Sequence, residues 1–157
     1  MTTTASLPDG GFSSQPRLAH AASFATRRLS SWVAVISAHG DIDASNADSL
    51  TEYTLGHLTG CRGLILDLRS LDFFGTEGFA ALHRVSVCCA STRITWAVLP
   101  GAAVCRVLRI GDPRGLLPAA GTVAAAMTTL GDQPRVDDSP SRAAATQGDP
   151  GQVAVPQ

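Results

Sequence analysis

"GLILDLRSLDFFGTEGFAAL" runs from Gly63 to Leu82. Its first six residues are a short, nearly continuous apolar run, the pattern of a strand in a sheet covered on both faces. From Thr76 the spacing changes. Phe79, Leu82, Val85/Ser86 and Cys89 fall on one helical face and predict a helix from about Thr76 to Ser91. Between the two lies Gly75-Thr76-Glu77-Gly78, a turn that carries a hydroxyl and a carboxylate between two glycines. A strand that passes through a polar turn into a helix is the repeating step of an α/β protein.

The same alternation continues on both sides. Upstream, "WVAVISAHG" (Trp32 to Gly40) is a strand rich in β-branched and apolar residues. "SNADSLTEYTLGHLTG" comes next, with Ala47, Leu50, Tyr53/Thr54 and Leu58 at helical spacing and Gly60 as the stop. "SFATRRL" reads as a first edge strand. Downstream, "ITWAVL" (Ile94 to Leu99) is a strand and "AAVCRVLRIG" a short helix stopped by Gly111. "GLLPA" is taken as a last short strand and "TVAAAMTTLG" as a last helix. The expected fold class is an α/β sandwich: a mixed sheet of about four to five strands, with about four helices mainly on one face.

The 157 residues suffice for one domain. With 45% hydrophobic and 16% charged residues, a packed core is expected. The formal net charge of -1 gives no electrostatic footprint for nucleic acid or an anionic membrane. Every basic residue is Arg, which together with abundant Ala, Gly, Pro and Thr points to a GC-rich coding genome. No apolar run approaches the roughly 18 residues that span a bilayer. The first residues, "MTTTASLPDGGFSSQP", lack the basic and apolar regions of a secretory signal. A cytoplasmic location is expected. Residues 1–22 and 131–157, rich in Pro, Ser, Gly and Asp, are expected to be a flexible lead-in and a disordered tail around a folded unit at 23–130.

Two turns hold the candidate chemistry. "GDID" (Gly40 to Asp43) closes the second strand. It is either a strand-ending turn, with Asp43 or Ser45 capping the next helix, or a carboxylate at the mouth of a regulatory site. In "GTEG", Thr76 is placed as an N-cap and Glu77 in the first turn, where the helix dipole favours negative charge. The same hydroxyl, exposed at a helix N-terminus, is also within reach of a kinase, and a phosphate there adds about -1.5 to -2 charge. Catalysis finds little support: His20, His39, His57 and His83 are scattered, and there is no nucleophile elbow or phosphate-binding loop. Cys61, Cys88, Cys89 and Cys105 have no CxxC spacing, so no metal and no cofactor is expected. The cysteines read as small core hydrophobes, with a Cys88 or Cys89 link to Cys105 as the alternative.

Taken together, "GDIDASNADSL", "GLILDLRSLDFFGTEGFAAL" and "ITWAVLPGAAVCRVLRIGDPRGLLPAAGTVAAAM" resemble the STAS domain, the fold of bacterial anti-sigma factor antagonists, over roughly residues 24 to 130. The resemblance implies a non-catalytic binding module that engages an anti-sigma factor, a GHKL-type serine kinase, and so frees a sigma factor. The kinase then phosphorylates a hydroxyl at the start of the second helix, which weakens the complex. In this chain Thr76 falls on that acceptor position, Gly78 on the family glycine and Asp43 on the acidic residue of the first motif. Gly75 stands where the family usually has Asp, and Glu77 where it has a second hydroxyl residue. The partner-binding residues implied are Asp41, Asp43, Gly75, Thr76, Glu77 and Gly78. The rival readings are a small STAS subunit of a membrane transporter complex, and an unrelated α/β enzyme using Asp41, Asp43 and Glu77 as a carboxylate cluster.

Overall fold

The computed structural model describes residues 21–131. The segments 1–20 and 132–157, to which most of the expected lead-in and tail belong, lie outside the described residues, as does His20. The elements are β1 (Ser23–Arg28), β2 (Val33–Ile42), α1 (Ala47–Gly56), β3 (Gly63–Phe74), α2 (Thr76–Thr92), β4 (Thr95–Pro100), α3 (Ala102–Gly111) and α4 (Val123–Gly131). They form one mixed sheet in the order β1-β2-β3-β4. The four-residue turn after β1 makes β1 and β2 an antiparallel pair. Parallel pairing of β2 with β3 and of β3 with β4 needs crossovers, which α1 and α2 supply.

The two sheet faces are covered unequally. On the front, Ile36, Ala38, Leu64, Leu66, Leu68, Trp96 and Val98 pack against Ala47 and Leu50 of α1, Leu82, Val85 and Cys89 of α2, and Val104 of α3. On the back, the alternate residues Val33, Val35, Ile65, Ala97 and Leu99 pack against Ala126 and Leu130 of α4. Both residue sets of each parallel strand are therefore apolar, which is why these strands read as continuous hydrophobic runs. Three helices lie on one face and α4 on the other, in agreement with the expected fold class.

Three boundaries differ from the sequence reading. β3 does not stop at Leu68 but runs on to Phe74. Register shifts opposite Ser37/His39 and Gly40/Asp41 interrupt its alternation, so that Leu71 and Phe74 reach the front core while Arg69, Ser70, Asp72 and Phe73 are exposed. A bulge breaks the period of two on which strand recognition rests. α1 ends at Gly56, four residues before Gly60, and Leu58 buries its side chain from the loop beyond the helix. "GLLPA" forms no strand; the chain makes one isolated bridge there, Val98 to Ala119.

All four cysteines are free. Cys61 and Cys89 are core residues as expected, and burial pushes the Cys89 thiol up to about 11. Cys105 departs from that reading: it lies on the outer side of α3 and is exposed. Thr54 of α1 is fully buried, and its hydroxyl has no hydrogen-bond partner. A buried hydroxyl without a partner carries its desolvation cost uncompensated. Thr54→Val, which keeps the shape and removes the oxygen, is expected to raise stability by about 1 kcal/mol. Chemical denaturation checks this, and a loss of stability would show that the oxygen is satisfied after all.

Candidate functional site

Parallel registration of β2 and β3 brings their C-terminal ends together. Asp41 pairs with Phe73 and Ile42 with Phe74. Just past the ladder, the Gly75 N–H donates to the Ile42 carbonyl at 2.9 Å. The two turns singled out in the sequence, some thirty residues apart in the chain, are thereby joined into one surface at the rim of the sheet.

The first turn is held by its own side chains. Asp43 Oδ1 accepts from the Ser45 N–H at 2.8 Å and from the Ser45 hydroxyl at 2.5 Å. Asn46 closes the loop from the other side: its Oδ1 accepts from the Asp43 N–H at 2.9 Å and its Nδ2 donates to the Asp41 carbonyl at 2.8 Å. Such short side-chain loops compete with helical hydrogen bonding and set where the helix begins. Neither Asp43 nor Ser45 caps α1; Asn46 occupies the N-cap position, and its side chain makes no cap bond either. The Ser45 hydroxyl, and after it the Ser45 N–H, hold the Asp43 carboxyl below the usual aspartate value. Asp41 is buried at 8% exposure, whereas Asp43 reaches solvent.

The second turn opens α2. Gly75, not Thr76, is the N-cap residue. Its carbonyl accepts from the Gly78 N–H at 3.1 Å and the Phe79 N–H at 3.4 Å. Thr76 is already the first helical residue, so its hydroxyl is not placed to cap the first-turn amides, and among the described residues it makes no hydrogen bond. Thr76 and Glu77 are exposed. The Glu77 carboxylate folds back over the cap: its Oε2 lies 2.9 Å from where a Cβ on Gly75 would stand. Gly78 is required by contact, since a Cβ there would sit 2.5 Å from the Phe74 ring.

Phe73 was not among the residues the sequence assigned to the site. It is 40% exposed and stands beside Gly75. With Asp72, Phe74, Ala103, Arg106 and Val107 it lines an open depression of about 130 Å³ between β3 and α3. The alternation of a strand could have identified it, because two adjacent Phe residues must point to opposite faces. Nothing local to the sequence places Arg106, which arrives from a different helix. The proposed carboxylate cluster does not form a metal site: among the described residues no group of three His, Cys, Asp or Glu side chains is able to hold an ion. Among the same residues no helix is long and apolar enough to cross a membrane.

Two measurements check this geometry. Ser45→Ala should bring the Asp43 carboxyl back up toward the ordinary aspartate value, read by NMR titration; an unmoved titration would mean that Ser45 does not hold it. Because the folded-state value is lowered, Asp43 contributes to stability above the ordinary aspartate value, and the contribution is lost as pH falls through the lowered one. Gly78→Ala should cost about 1–3 kcal/mol by overpacking against Phe74. Combined with Phe74→Leu, the two changes should cost less than their sum; strict additivity would contradict the contact.

Comparison with known proteins puts this geometry in context. The model of the STAS domain family matches residues 24–113. Osmosensory protein A of Mycobacterium tuberculosis is 28% identical over 102 residues, which cover 62% of this chain and 65% of that protein. The chain thus spans just under two thirds of that relative's length. Among solved structures, an anti-sigma factor antagonist from Mycobacterium paratuberculosis superposes with a TM-score of 0.60 at 20% identity, covering 71% of this chain and 96% of that one. A serine-to-glutamate variant of RsbS from Moorella thermoacetica gives 0.55 at 18% identity, covering 69% and 94%. The unphosphorylated form of the antagonist SpoIIAA gives 0.52 at 14%, covering 62% and 88%. At these identities the likeness is one of fold.

Proposed function

The chain belongs to the STAS domain family, and on that footing we propose that it acts by binding another protein, as a cytoplasmic anti-sigma factor antagonist whose folded unit is residues 23–130. In this reading it engages an anti-sigma factor of the GHKL serine-kinase type and so frees a sigma factor. The observation that carries the reading is the joined pair of turns. One backbone hydrogen bond, Gly75 to Ile42, sets Asp43, Phe73, Thr76 and Glu77 side by side on an open rim. The arrangement suits a protein partner: an exposed aromatic, flanking charges, and rigid backbone beneath them. Of these residues only Phe73 lines the depression between β3 and α3.

Thr76 is the switch in this proposal. Its hydroxyl is exposed and makes no hydrogen bond among the described residues, so a kinase reaches it without first breaking a cap. Phosphate added there brings about -1.5 to -2 charge beside the Glu77 carboxylate. The helix N-terminus offsets part of the repulsion, and the remaining charge changes what the rim accepts. Glu77 already gives the turn a fixed negative charge before any modification.

The test uses the partner isolated by affinity capture from the native lysate and identified by mass spectrometry. Because Thr76 is not the cap, Thr76→Ala should change stability by no more than about 0.5 kcal/mol and leave binding equal or tighter. Thr76→Glu should weaken binding at an unchanged melting temperature. Asp43→Asn should do the same if its carboxylate meets the partner. A Thr76→Glu protein that binds as tightly as the wild type rules out the switch, and capture of no anti-sigma factor rules out the antagonist role.

A further inference from the structure

The opposite end of the sheet, where the parallel strands begin, carries a second surface. Three loops meet there at one level, since Val33, Gly63 and Thr95 are in register across β2, β3 and β4. Backbone bonds tie the loops together: the Arg62 and Gly63 N–H groups both donate to the Trp32 carbonyl, at 2.8 and 3.0 Å, and the Thr95 N–H donates to the Arg62 carbonyl at 3.0 Å. The side chains this end presents are Arg28, Arg62 and Arg93, all exposed, around Leu29 and Trp32, which are 37% and 38% exposed. Arg28 is fastened to the Ser31 and Thr59 carbonyls, both at 3.3 Å. Arg93 holds a left-handed conformation, φ 56°, as the C-cap of α2. The stretches 28–33, 57–63 and 93–95 that build this end contain no Asp or Glu.

The described chain leaves from the same place. α4 ends at Gly131, and both Leu130 and Trp32 lie within 3.2 Å of the Cβ position of Gly63. Residues 132–140 then read "DQPRVDDSP", with Asp132, Asp137 and Asp138 against the single Arg135, and with Val136 among them. The N-terminal segment is a poorer match. It enters β1 at Ser23, opposite His39 and so toward the other end of the sheet, and it carries one Asp and one Arg. We propose that the arginine–tryptophan end is the docking site of the chain's own segment 132–138: the Asp137 and Asp138 carboxylates meet Arg28 and Arg93, and Val136 covers Trp32 and Leu29. Six residues from Gly131 to Asp137 reach about 20 Å, and β2 and β4 are about 10 Å apart, so the span is sufficient.

Acrylamide quenching of tryptophan fluorescence in the full chain tests this, with a Trp32→Phe protein to subtract the contribution of buried Trp96. Asp137→Asn/Asp138→Asn should raise quenching of Trp32 about twofold, the scale that exposed charge pairs support. Arg93→Asn, a residue that tolerates the left-handed backbone, should do the same. Wild-type protein in about 0.5 M salt should behave like the variants, because screening removes the same attraction. Equal quenching of wild type and the Asp variant overturns the proposal. So does Trp32 protection that grows with protein concentration, which would assign the surface to a second copy.

Discussion

The hydrogen bond from the Gly75 N–H to the Ile42 carbonyl lies just past the β2–β3 ladder, and the joining of the two turns into one rim depends on it. Two parallel strands of ten and twelve residues cannot stay in register over their full length unless the longer one absorbs extra residues. The register shifts near His39 and Asp41 do this. They carry β3 beyond its apolar run, so that its final residues meet the end of β2 and not open solvent. Unbroken alternation would turn Leu71 away from the front core, where it packs with Leu68 and Phe74.

Around that bond, side-chain volumes decide the shape of the turn. Gly78 lets α2 lie flush on the Phe74 ring, and Gly75 leaves the space that the Glu77 carboxylate occupies. An Asp at position 75 would bring a second carboxylate into that space. The carboxylate of the turn comes from its second helical residue, Glu77. The result is an N-terminus with a carboxylate close to the free amides, an arrangement the helix dipole favours.

The helices also explain why charge is distributed unevenly over the module. α1 and α2 come after their strands and so begin at the rim and end at the far side. Their N-termini carry Asp48 and Glu77 in the first turn, while His57 and Arg93 stand at their C-caps. Carboxylates at one end and Arg93 at the other each complement the dipole end they face. Arg84 bridges to Asp48 at 2.6 Å between the two helices. On the back of the sheet, Asp67 is held by the Arg69 guanidinium at 2.8 and 2.9 Å, and this partner keeps the carboxyl below the usual aspartate range.

The sequence alone was enough to identify the strand–helix alternation, the core-facing residues of α2 and the two polar turns. Those features are local: an apolar run, a helical period and glycines at fixed positions record the physical environment of each segment. The resemblance built on them led to the STAS family. Other features depended on residues distant in the chain. The length of β3 was hidden because a bulge erases periodicity, and the cap passed from Thr76 to Gly75 because the Ile42 carbonyl anchors that amide. Phe73 and Arg106 became neighbours only when α3 packed against β3, and Arg28, Arg62 and Arg93 met only because three strands start at the same level. Local pattern determines what kind of element a segment forms. Which side chains share a surface is decided by strand register and crossover geometry, to which residues far apart in the chain contribute jointly.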